Sequence, residues 1–424
     1  MKLYCSGIGG IGLSAYASYQ KASGHEVSGS DLEESSIISN LRSHDISVSF
    51  NQDGNAVPDD TDLFVYTLAL PDAHPELMKA KEFGITQKTY FQALGDLIRE
   101  SGKTCIAVCG THGKSSTTAM TAKVLVDSGL DPSVILGTKT NDLGGKNWRK
   151  GTGDYFLVEA CEYRRSFLNI LPDIVLMTNV TGDHFDAFDG IADYHDAFRE
   201  FLSNLKSKGT LITHMSDPEC SKIAGKSNAN IIDADTFRLP NLNVPGVHMQ
   251  KNAQLVLALA GSLMLKNAES FLEKYHGCWR RTELKGKTTQ GALLIDDYGH
   301  HPNEIKKTLD GIKEAYPDRR LVCVFQPHTH DRTIKLYNQF LEAFKSADLV
   351  IIPNIYEARS DRDRKKVDVD KFVGDVKIGS SVEVINGHSL ENTVDLLKSG
   401  ILKKNDLLVT MGAGDVTKIG DELL

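Results

Sequence analysis

Short apolar segments alternate with amphipathic segments along almost the whole chain. The apolar segments have the length of buried strands, and many of the segments between them have the spacing of helices. This alternation is typical of proteins in which helices cover a mainly parallel sheet. The sequence therefore predicts an α/β fold.

The strand and helix patterns fall into three sets, which predict three domains. We place an N-terminal domain at residues 1–100, a central domain at 101–277 and a C-terminal domain at 278–424. A length of 424 residues is also too great for one ordinary core. The principal strands are predicted at residues 2–5, 25–31, 63–67, 105–109, 155–158, 174–177, 210–212, 292–295, 321–325, 349–352 and 407–410.

Three further segments carry specific predictions. Residues 138–153 are polar and rich in glycine, which predicts an exposed connection. Helical patterns cover residues 249–265 and 334–346.

Composition and charge exclude several classes of protein. The formal net charge of -8 argues against a nucleic-acid partner, because phosphate backbones require a basic surface. The seven cysteines form no CxxC pair, which favours reduced thiols over a disulfide framework. A strand predicted from residue 2 leaves no room for a signal peptide, and the longest apolar helix, 255–265, is too short to span a bilayer. We therefore expect a soluble, cytoplasmic protein without a membrane partner.

The first candidate site is a glycine-rich loop near the N-terminus. Gly7, Gly9 and Gly12 match G-x-G-x-x-G between a predicted strand and helix, and Asp31 ends the next strand. Glycines allow the backbone to approach a diphosphate, and the following helix begins with free N–H groups. A carboxylate at Asp31 would accept a hydrogen bond from a sugar hydroxyl. The motif alone leaves NAD, a UDP-sugar and other nucleotides open.

A second phosphate loop lies about a hundred residues further along the chain. Residues 110–115 read Gly-Thr-His-Gly-Lys-Ser, a shortened form of the P-loop that follows a strand and opens a helix. Backbone N–H groups would surround the phosphates, while Lys114 reaches the β- and γ-phosphate oxygens and the Ser115 hydroxyl joins Mg²⁺. This loop predicts an ATP site, and the two loops together predict two phosphorylated ligands.

Several motifs in order along the chain resemble the Mur ligase family of peptidoglycan synthesis. The resemblance covers nearly the whole length. The matching segments are residues 7–14, 29–31, 109–117, 159–168, 178–184, 245–248, 280–281, 296–302, 325–328 and 411–415.

The resemblance implies a three-domain architecture with a Rossmann-like N-terminal domain, a P-loop central ATPase domain and a Rossmann-like C-terminal domain. It also implies a ligase that uses ATP and Mg²⁺ to join an amino acid to a UDP-sugar acid. The carbamylated lysine of several family members is missing near Phe198, which fits the type that adds alanine. UDP-N-acetylmuramic acid and L-alanine are therefore the expected substrates.

The resemblance and the chemistry of the residues together assign roles to particular side chains. The expected catalytic residues are Lys114, Glu159 and His184, and the expected metal ligands are Ser115, Glu159 and His184. The expected ATP contacts are Gly110, Thr111, His112, Gly113, Lys114, Ser115, Ser116, His248, Asn252, Arg281 and Asp297. The expected UDP-sugar contacts are Gly7, Gly9, Gly10, Ile11, Gly12, Ser14 and Asp31, and the expected amino-acid contacts are His328 and Arg332.

Other functions are compatible with parts of the sequence. A ligase that recycles a murein peptide, or one that uses another amino acid, would keep the ATP loop. An NAD-binding oxidoreductase with an accessory P-loop domain would explain residues 7–31, and a nucleotide-binding regulatory protein would need no turnover. We expect a monomer or a weak homodimer.

Overall fold

The computed structural model describes residues 1–182, 187–357 and 366–424. It contains two compact units. Unit 1 comprises Met1–Pro240 with Asn252–Glu273, and unit 2 comprises Asn241–Lys251 with Lys274–Leu424. Unit 1 is built around two sheets and unit 2 around a third. The predicted α/β fold is confirmed, and the domain boundaries at residues 100 and 277 stay predictions.

The first sheet of unit 1 is wholly parallel, in the order β3-β2-β1-β4-β5. Its strands are β1 (Lys2–Ser6), β2 (Glu26–Ser30), β3 (Ser47–Ser49), β4 (Leu63–Tyr66) and β5 (Thr86–Thr89). Its helices are α1 (Ile11–Ala22), α2 (Ser36–Arg42), α3 (Pro75–Glu82) and α4 (Tyr90–Ser101). The chain order reverses beside β1, so a crevice for a ligand is expected at the carboxyl ends of β1 and β4.

The second sheet of unit 1 has the order β12-β11-β10-β6-β9-β7-β8, and only the β7–β8 pair is antiparallel within it. Its strands are β6 (Thr104–Cys109), β7 (Ser133–Thr140), β8 (Lys146–Arg149), β9 (Tyr155–Glu159), β10 (Ile174–Met177), β11 (Thr210–Thr213) and β12 (Asn230–Asp233). Its helices are α5 (Lys114–Asp127), α6 (Ile191–Ser203), α7 (Pro218–Ala224), α8 (Val247–Ser262, which begins in the residues of unit 2) and α9 (Ala268–Glu273). Strand β6 lies at the point where the order reverses, and the lysine loop follows it.

The sheet of unit 2 has the order β13-β14-β18-β15-β16-β17, with β13 antiparallel to β14 and the other pairs parallel. Its strands are β13 (Glu283–Lys287), β14 (Leu293–Asp297), β15 (Leu321–Phe325), β16 (Leu349–Ile352), β17 (Glu383–Asn386) and β18 (Leu407–Met411). Its helices are α10 (Pro302–Ala315), α11 (His330–Lys335), α12 (Tyr337–Phe340), α13 (Val369–Ser380), α14 (Leu390–Leu396) and α15 (Thr417–Leu423).

The central strands are apolar because helices cover both faces of each sheet. Every residue of β15 and of β18 is buried. A buried and almost wholly apolar run of this kind is the pattern of a parallel strand with no face in water. Six of the seven cysteines are buried, and all seven are free thiols, as the sequence predicts.

Two predictions about local structure are wrong. Residues 138–153 are not an exposed connection, because β7 and β8 pair there and the Asn147 side chain is buried. The helix predicted over 334–346 is interrupted, since α11 ends at Lys335 and α12 covers only Tyr337–Phe340. In both cases the chain follows packing against the sheet and departs from its local pattern.

The two sheets of unit 1 are held together through α1. The Tyr19 hydroxyl on α1 lies 3.1 Å from the Ser133 hydroxyl on β7. The Asn147 amide on β8 donates to the Ile11 carbonyl at the start of α1, at 2.7 Å. This contact places the glycine loop of the first sheet against the second sheet.

None of the helices within residues 1–182, 187–357 and 366–424 combines the length and the hydropathy needed to cross a membrane.

Candidate active site

The lysine loop connects β6 to α5 and depends on two glycines. Gly110 and Gly113 have φ values of 135° and 84°, in the region that favours glycine. A Cβ atom on Gly110 would lie 2.0 Å from the Thr178 hydroxyl oxygen. No described side chain caps α5, which begins at Lys114. The first backbone N–H groups of this helix are therefore left for an anion, and a phosphate at this position stays a prediction.

Two residues at the end of β10 hold the lysine loop. The Asn179 carbonyl accepts from the Thr111 N–H at 2.8 Å, and the Asn179 amide donates to the His112 carbonyl at 2.9 Å. The Thr178 hydroxyl donates to the same His112 carbonyl at 2.6 Å. The candidate site residues from sequence omit Thr178 and Asn179, although their position just after a strand beside β6 is a usable signal.

Lys114 lies in a buried ion pair. Its Nζ is 3.0 and 2.9 Å from the two carboxylate oxygens of Glu162, a residue with no exposed surface. It also donates to the carbonyls of Gly110 and Thr111. Burial by itself lowers the pKa of Lys114, but the Glu162 carboxylate outweighs it and raises the pKa to about 12. The lysine is therefore a fixed positive charge at the loop, and the sequence analysis did not identify Glu162 as its partner.

Ser115 and Glu159 are in direct contact. The Ser115 hydroxyl donates to Glu159 Oε1 at 2.8 Å, and the Gly137 N–H donates to Oε2 at 2.8 Å. The register of β6 with β9, in which Val108 is paired with Glu159, places the carboxylate beside the loop. The pair offers hard oxygen atoms, which suit Mg²⁺ because this ion usually takes one or two protein ligands and keeps phosphate and water for the rest.

The second expected metal ligand, His184, lies outside the described residues. In the described part of the chain, no group of three or more His, Cys, Asp or Glu side chains lies together as a metal site.

Other candidates of the ATP site surround the start of α5. Ser116 lies in the first turn of α5, and 4% of its surface is exposed. The Asn252 side chain packs against the loop, so a Cβ atom on Gly113 would lie 2.6 Å from its Oδ1. The Thr111 hydroxyl lies 2.9 Å from the Tyr194 hydroxyl, so it serves the loop's own structure.

The N-terminal glycine loop is held by the carboxylate that was expected to bind a sugar. Asp31 Oδ2 accepts from the Gly9 N–H at 2.7 Å. Gly7 has a φ of 80°, and no described side chain caps α1, which begins at Ile11. Asp31 therefore shapes the loop directly, and any contact with a sugar hydroxyl would be made in addition.

A buried carboxylate supports the strands beneath this loop. Glu76 on α3 has no exposed surface and accepts from the hydroxyls of Tyr4, Ser6 and Ser30 on β1 and β2. Burial, with the Glu76 hydrogen bond second, raises the pKa of Tyr4. Glu76 therefore links β1, which leads into the glycine loop, to the neighbouring strand β2, which follows α1.

The glycine loop forms one wall of a cavity of about 390 Å³ in unit 1. Gly7, Gly10, Ile11 and Gly12 belong to this wall. The remaining walls are formed by residues 67–69 after β4, by Tyr90 and Phe91 on α4, and by the segment after β9 with Cys161, Tyr163, Arg164 and Ser166. A cavity of this size fits a small organic ligand.

Ser14 faces away from this cavity and joins the contact between the two sheets. It is 3% exposed, donates to the Ile11 carbonyl at 2.9 Å and accepts from the Asn147 amide at 3.4 Å. Its place in the structure indicates a packing contribution, while a ligand contact stays a prediction.

In unit 2, Asp297 stands at the carboxyl end of β14. Its carboxylate accepts from the Thr282 N–H at 2.7 Å and from the Gly299 N–H at 2.8 Å. Burial raises its pKa to about 6, against the opposite effect of Arg281 and these hydrogen bonds. Arg281 lies over the ring of Tyr298, 5.0 Å from its centre. Asp297 thus fixes the backbone at Thr282, the residue that follows Arg281.

The remaining candidates of unit 2 are His248, His328 and Arg332. Burial, with the nearby Lys307 second, lowers the pKa of His248 to about 4, so this imidazole is neutral near pH 7. His328 follows β15 and stacks on Tyr356 with ring centres 5.3 Å apart. Arg332 is on α11, in the same polar region after β15.

The chain matches three models of one family. Residues 2–101 match "Mur ligase family, catalytic domain", residues 108–243 match "Mur ligase middle domain", and residues 280–414 match "Mur ligase, glutamate ligase domain".

Full-length relatives point in the same direction. A UDP-N-acetylmuramate–L-alanine ligase of Clostridium novyi is 36% identical over 455 residues, which span 100% of this chain and 97% of the relative. The protein of the same name from Clostridium acetobutylicum is 35% identical over 453 residues, with the same two coverages.

Two solved structures of related proteins resemble this chain over its full length. The UDP-N-acetylmuramate–alanine ligase of Thermotoga maritima has a TM-score of 0.85 at 27% identity, covering 100% of this chain and 98% of that one. A murein peptide ligase of Psychrobacter arcticus has a TM-score of 0.74 at 22% identity, with the same coverages, and this likeness shows the fold alone. From the three family models and these full-length relatives, the chain belongs to the Mur ligase family of ATP-dependent ligases and has its three-domain architecture.

Proposed function

We propose that this protein joins L-alanine to the carboxylate of UDP-N-acetylmuramic acid, with ATP converted to ADP and phosphate. This is the first peptide step of peptidoglycan precursor synthesis. The observation that carries the proposal is the lysine loop, in which Lys114 and Ser115 are each held by a carboxylate. The names of relatives that span the full length of the chain support the choice of substrates.

The reaction needs ATP because a carboxylate is a poor acyl donor. Transfer of the γ-phosphoryl group to the carboxylate oxygen gives an acyl phosphate and ADP. The alanine amine then attacks the acyl carbon, the C–O bond to phosphate breaks, and the amine loses a proton as the amide forms. Negative charge moves through the phosphoryl oxygens in the first step, so a fixed cation and backbone N–H groups beside them lower its barrier.

Lys114 is the fixed cation in this proposal. Its three N–H groups donate to Glu162 and to two loop carbonyls, so the charge is held at the loop, and a phosphate oxygen would take the place of one of these acceptors. The uncapped start of α5 supplies the N–H groups. Asn252 packs on the loop and His248 is a neutral imidazole, and both are proposed as purine contacts.

Mg²⁺ would be held by the Ser115 hydroxyl and the Glu159 carboxylate. When bound, it supplies positive charge to the phosphate oxygens. His184 remains a proposed ligand of a second ion.

Glu159→Gln tests this metal site. The substitution removes the charge and keeps an oxygen for the Gly137 N–H, so the fold should be retained. The Mg²⁺ concentration for half-maximal ADP release should rise by about tenfold or more. Electron paramagnetic resonance of Mn²⁺ with ADP should show the same loss of metal affinity without turnover. Glu26→Gln, on a side chain that is 70% exposed, is the control, and equal metal affinity in all three proteins would contradict the site.

The UDP-sugar is proposed to bind in the cavity beside the glycine loop. The open start of α1 and the glycines suit a diphosphate, and the segment after β9 leads directly from Glu159 to this cavity. In unit 2, His328 and Arg332 are proposed to contact alanine, because they follow a parallel strand at its carboxyl end.

A panel of amino acids tests the reaction. Purified protein with ATP, Mg²⁺ and UDP-N-acetylmuramic acid should release ADP fastest with L-alanine, and mass spectrometry should show the amide product. Serine, glycine and a murein peptide complete the panel. A preference for the murein peptide would support a recycling ligase, and no ADP with any acceptor would refute the proposal. Membership of a ligase family already removes the oxidoreductase alternative.

A cytoplasmic location and a monomer or weak homodimer stay predictions.

A further inference from the structure

We propose that Arg164 binds the diphosphate of the UDP-sugar in the cavity of unit 1. This inference rests on the proposed function and adds a residue that neither glycine-loop motif contains. Three observations support it: the charged residue in the cavity lining, the contacts that segment 67–68 makes with Gly7 and Arg164, and the left-handed backbone at residues 164 and 165.

The cavity needs a cation that the glycine loop does not carry. Among the described residues that line it, Arg164 is the one with a charged side chain. A diphosphate brings two negative charges, whereas the start of a helix supplies about half a positive charge. A guanidinium group can also bind phosphate through two parallel hydrogen bonds.

A chain of contacts connects this guanidinium to the glycine loop. A Cβ atom on Gly7 would lie 2.4 Å from Cγ2 of Thr67, so these two residues touch. Leu68 follows Thr67, and its carbonyl lies 3.4 Å from Nη1 of Arg164. The segment 67–68 therefore contacts both Gly7 and Arg164, and all of these residues line the same cavity.

The backbone at this position is strained. Arg164 has φ 48° and ψ 36°, and Arg165 has φ 56° and ψ 24°, so two adjacent non-glycine residues occupy the left-handed region. Such conformations persist where the surroundings impose them, and they cluster at ligand sites. The Arg165 N–H donates to the Glu162 carbonyl at 2.8 Å, which connects the turn to the partner of Lys114.

The two arginines differ in their partners. Arg165 forms ion pairs with Asp193 at 2.5 Å and with Glu200 at 2.6 Å. Arg164 has no carboxylate partner among the described residues and lies over the ring of Tyr163, 5.5 Å from its centre. The ion pairs of Arg165 hold its side chain against α6, while Arg164 is exposed and lines the cavity.

Arg164→Asn tests the proposal, because Asn tolerates the left-handed region and removes the charge. Calorimetric titration with UDP, UDP-N-acetylglucosamine and UDP-N-acetylmuramic acid should show binding weakened by about tenfold or more for all three. The KM for UDP-N-acetylmuramic acid should rise while the KM for ATP stays the same. Arg164→Lys should restore part of the affinity.

Arg165→Asn is the matched control, with the same backbone region and a side chain outside the cavity lining. It should leave the affinity for UDP unchanged. Equal losses in both variants would show that the turn matters and the Arg164 guanidinium does not, which would overturn the proposal. A loss confined to UDP-N-acetylmuramic acid would also overturn it, because the contact would then be to the lactyl carboxylate.

The outcomes separate this inference from the proposed function. Unchanged UDP affinity in Arg164→Asn, with normal ligation by the wild type, would refute the inference alone. Wild-type protein that binds ATP but none of the three UDP ligands would refute the proposed function.

Discussion

Replacing Lys114 with Met is expected to reduce ADP formation by about a thousandfold or more, because the fixed cation beside the transferring phosphoryl group is lost. Methionine has a similar length and suits a buried site, but Glu162 would be left as a buried charge without its partner. ADP release with saturating substrates measures the effect. Calorimetric binding of UDP-N-acetylmuramic acid should be largely retained, since the glycine loop belongs to the other sheet of unit 1.

Lys123→Met is the matched control for this change. Lys123 lies on the same helix α5, is largely buried, and pairs with Asp127 and Asp142 at 2.9 Å each. The Lys123→Met substitution removes a buried lysine whose partners lie outside the lysine loop. ADP formation per folded molecule should therefore stay near the wild-type value. Full turnover by Lys114→Met, or an equal loss in both variants, would contradict the assigned role.

Replacing Arg280 with Met is expected to lower the free energy of unfolding of unit 2 by about 3–5 kcal/mol, the usual cost of leaving a buried charge without its partner. Arg280 and Asp296 are 4% and 1% exposed, and Nε of Arg280 lies 3.2 Å from Oδ2 of Asp296. The guanidinium also donates to the carbonyls of Gly412 and Gly414 after β18. One side chain therefore connects the ends of β14 and β18 with the entry to β13.

Urea unfolding followed by tryptophan fluorescence measures this loss. The chain has two tryptophans, so a Trp148→Phe background leaves Trp279 of unit 2, beside Arg280, as the reporter. Lys371→Met is the control, because Lys371 is 65% exposed in its pair with Asp375 and should hardly move the transition. If Arg280→Met unfolds at the wild-type urea concentration, the ion pair does not stabilise unit 2.

Much of the site can be predicted from the sequence where the chemistry is local. Gly110 and Gly113 adopt left-handed conformations that glycine accepts without strain, and Lys114 follows them directly. Strand, loop and helix are consecutive there, so neighbouring residues determine the conformation. The same holds for Gly7 and the start of α1.

Other parts of the site depend on residues that are distant in sequence. Glu162 pairs with Lys114 across 48 positions, and its role depends on β9 lying beside β6. Asp31 has the position expected for a sugar contact, yet its carboxylate is hydrogen bonded to the Gly9 N–H. The residue types alone predict neither the Glu162–Lys114 pair nor the hydrogen bond between Asp31 and Gly9.

Sequence alone was sufficient for the α/β class, the two phosphate loops and the family resemblance, because glycine spacing, apolar runs and motif order act over short distances. Only the tertiary structure decided that residues 133–149 form a hairpin against α1, that Glu162 holds Lys114, and that Arg164 lines the cavity. The physical reason is that strand register and packing choose the partner of a side chain, and both are set by contacts between segments far apart in the chain.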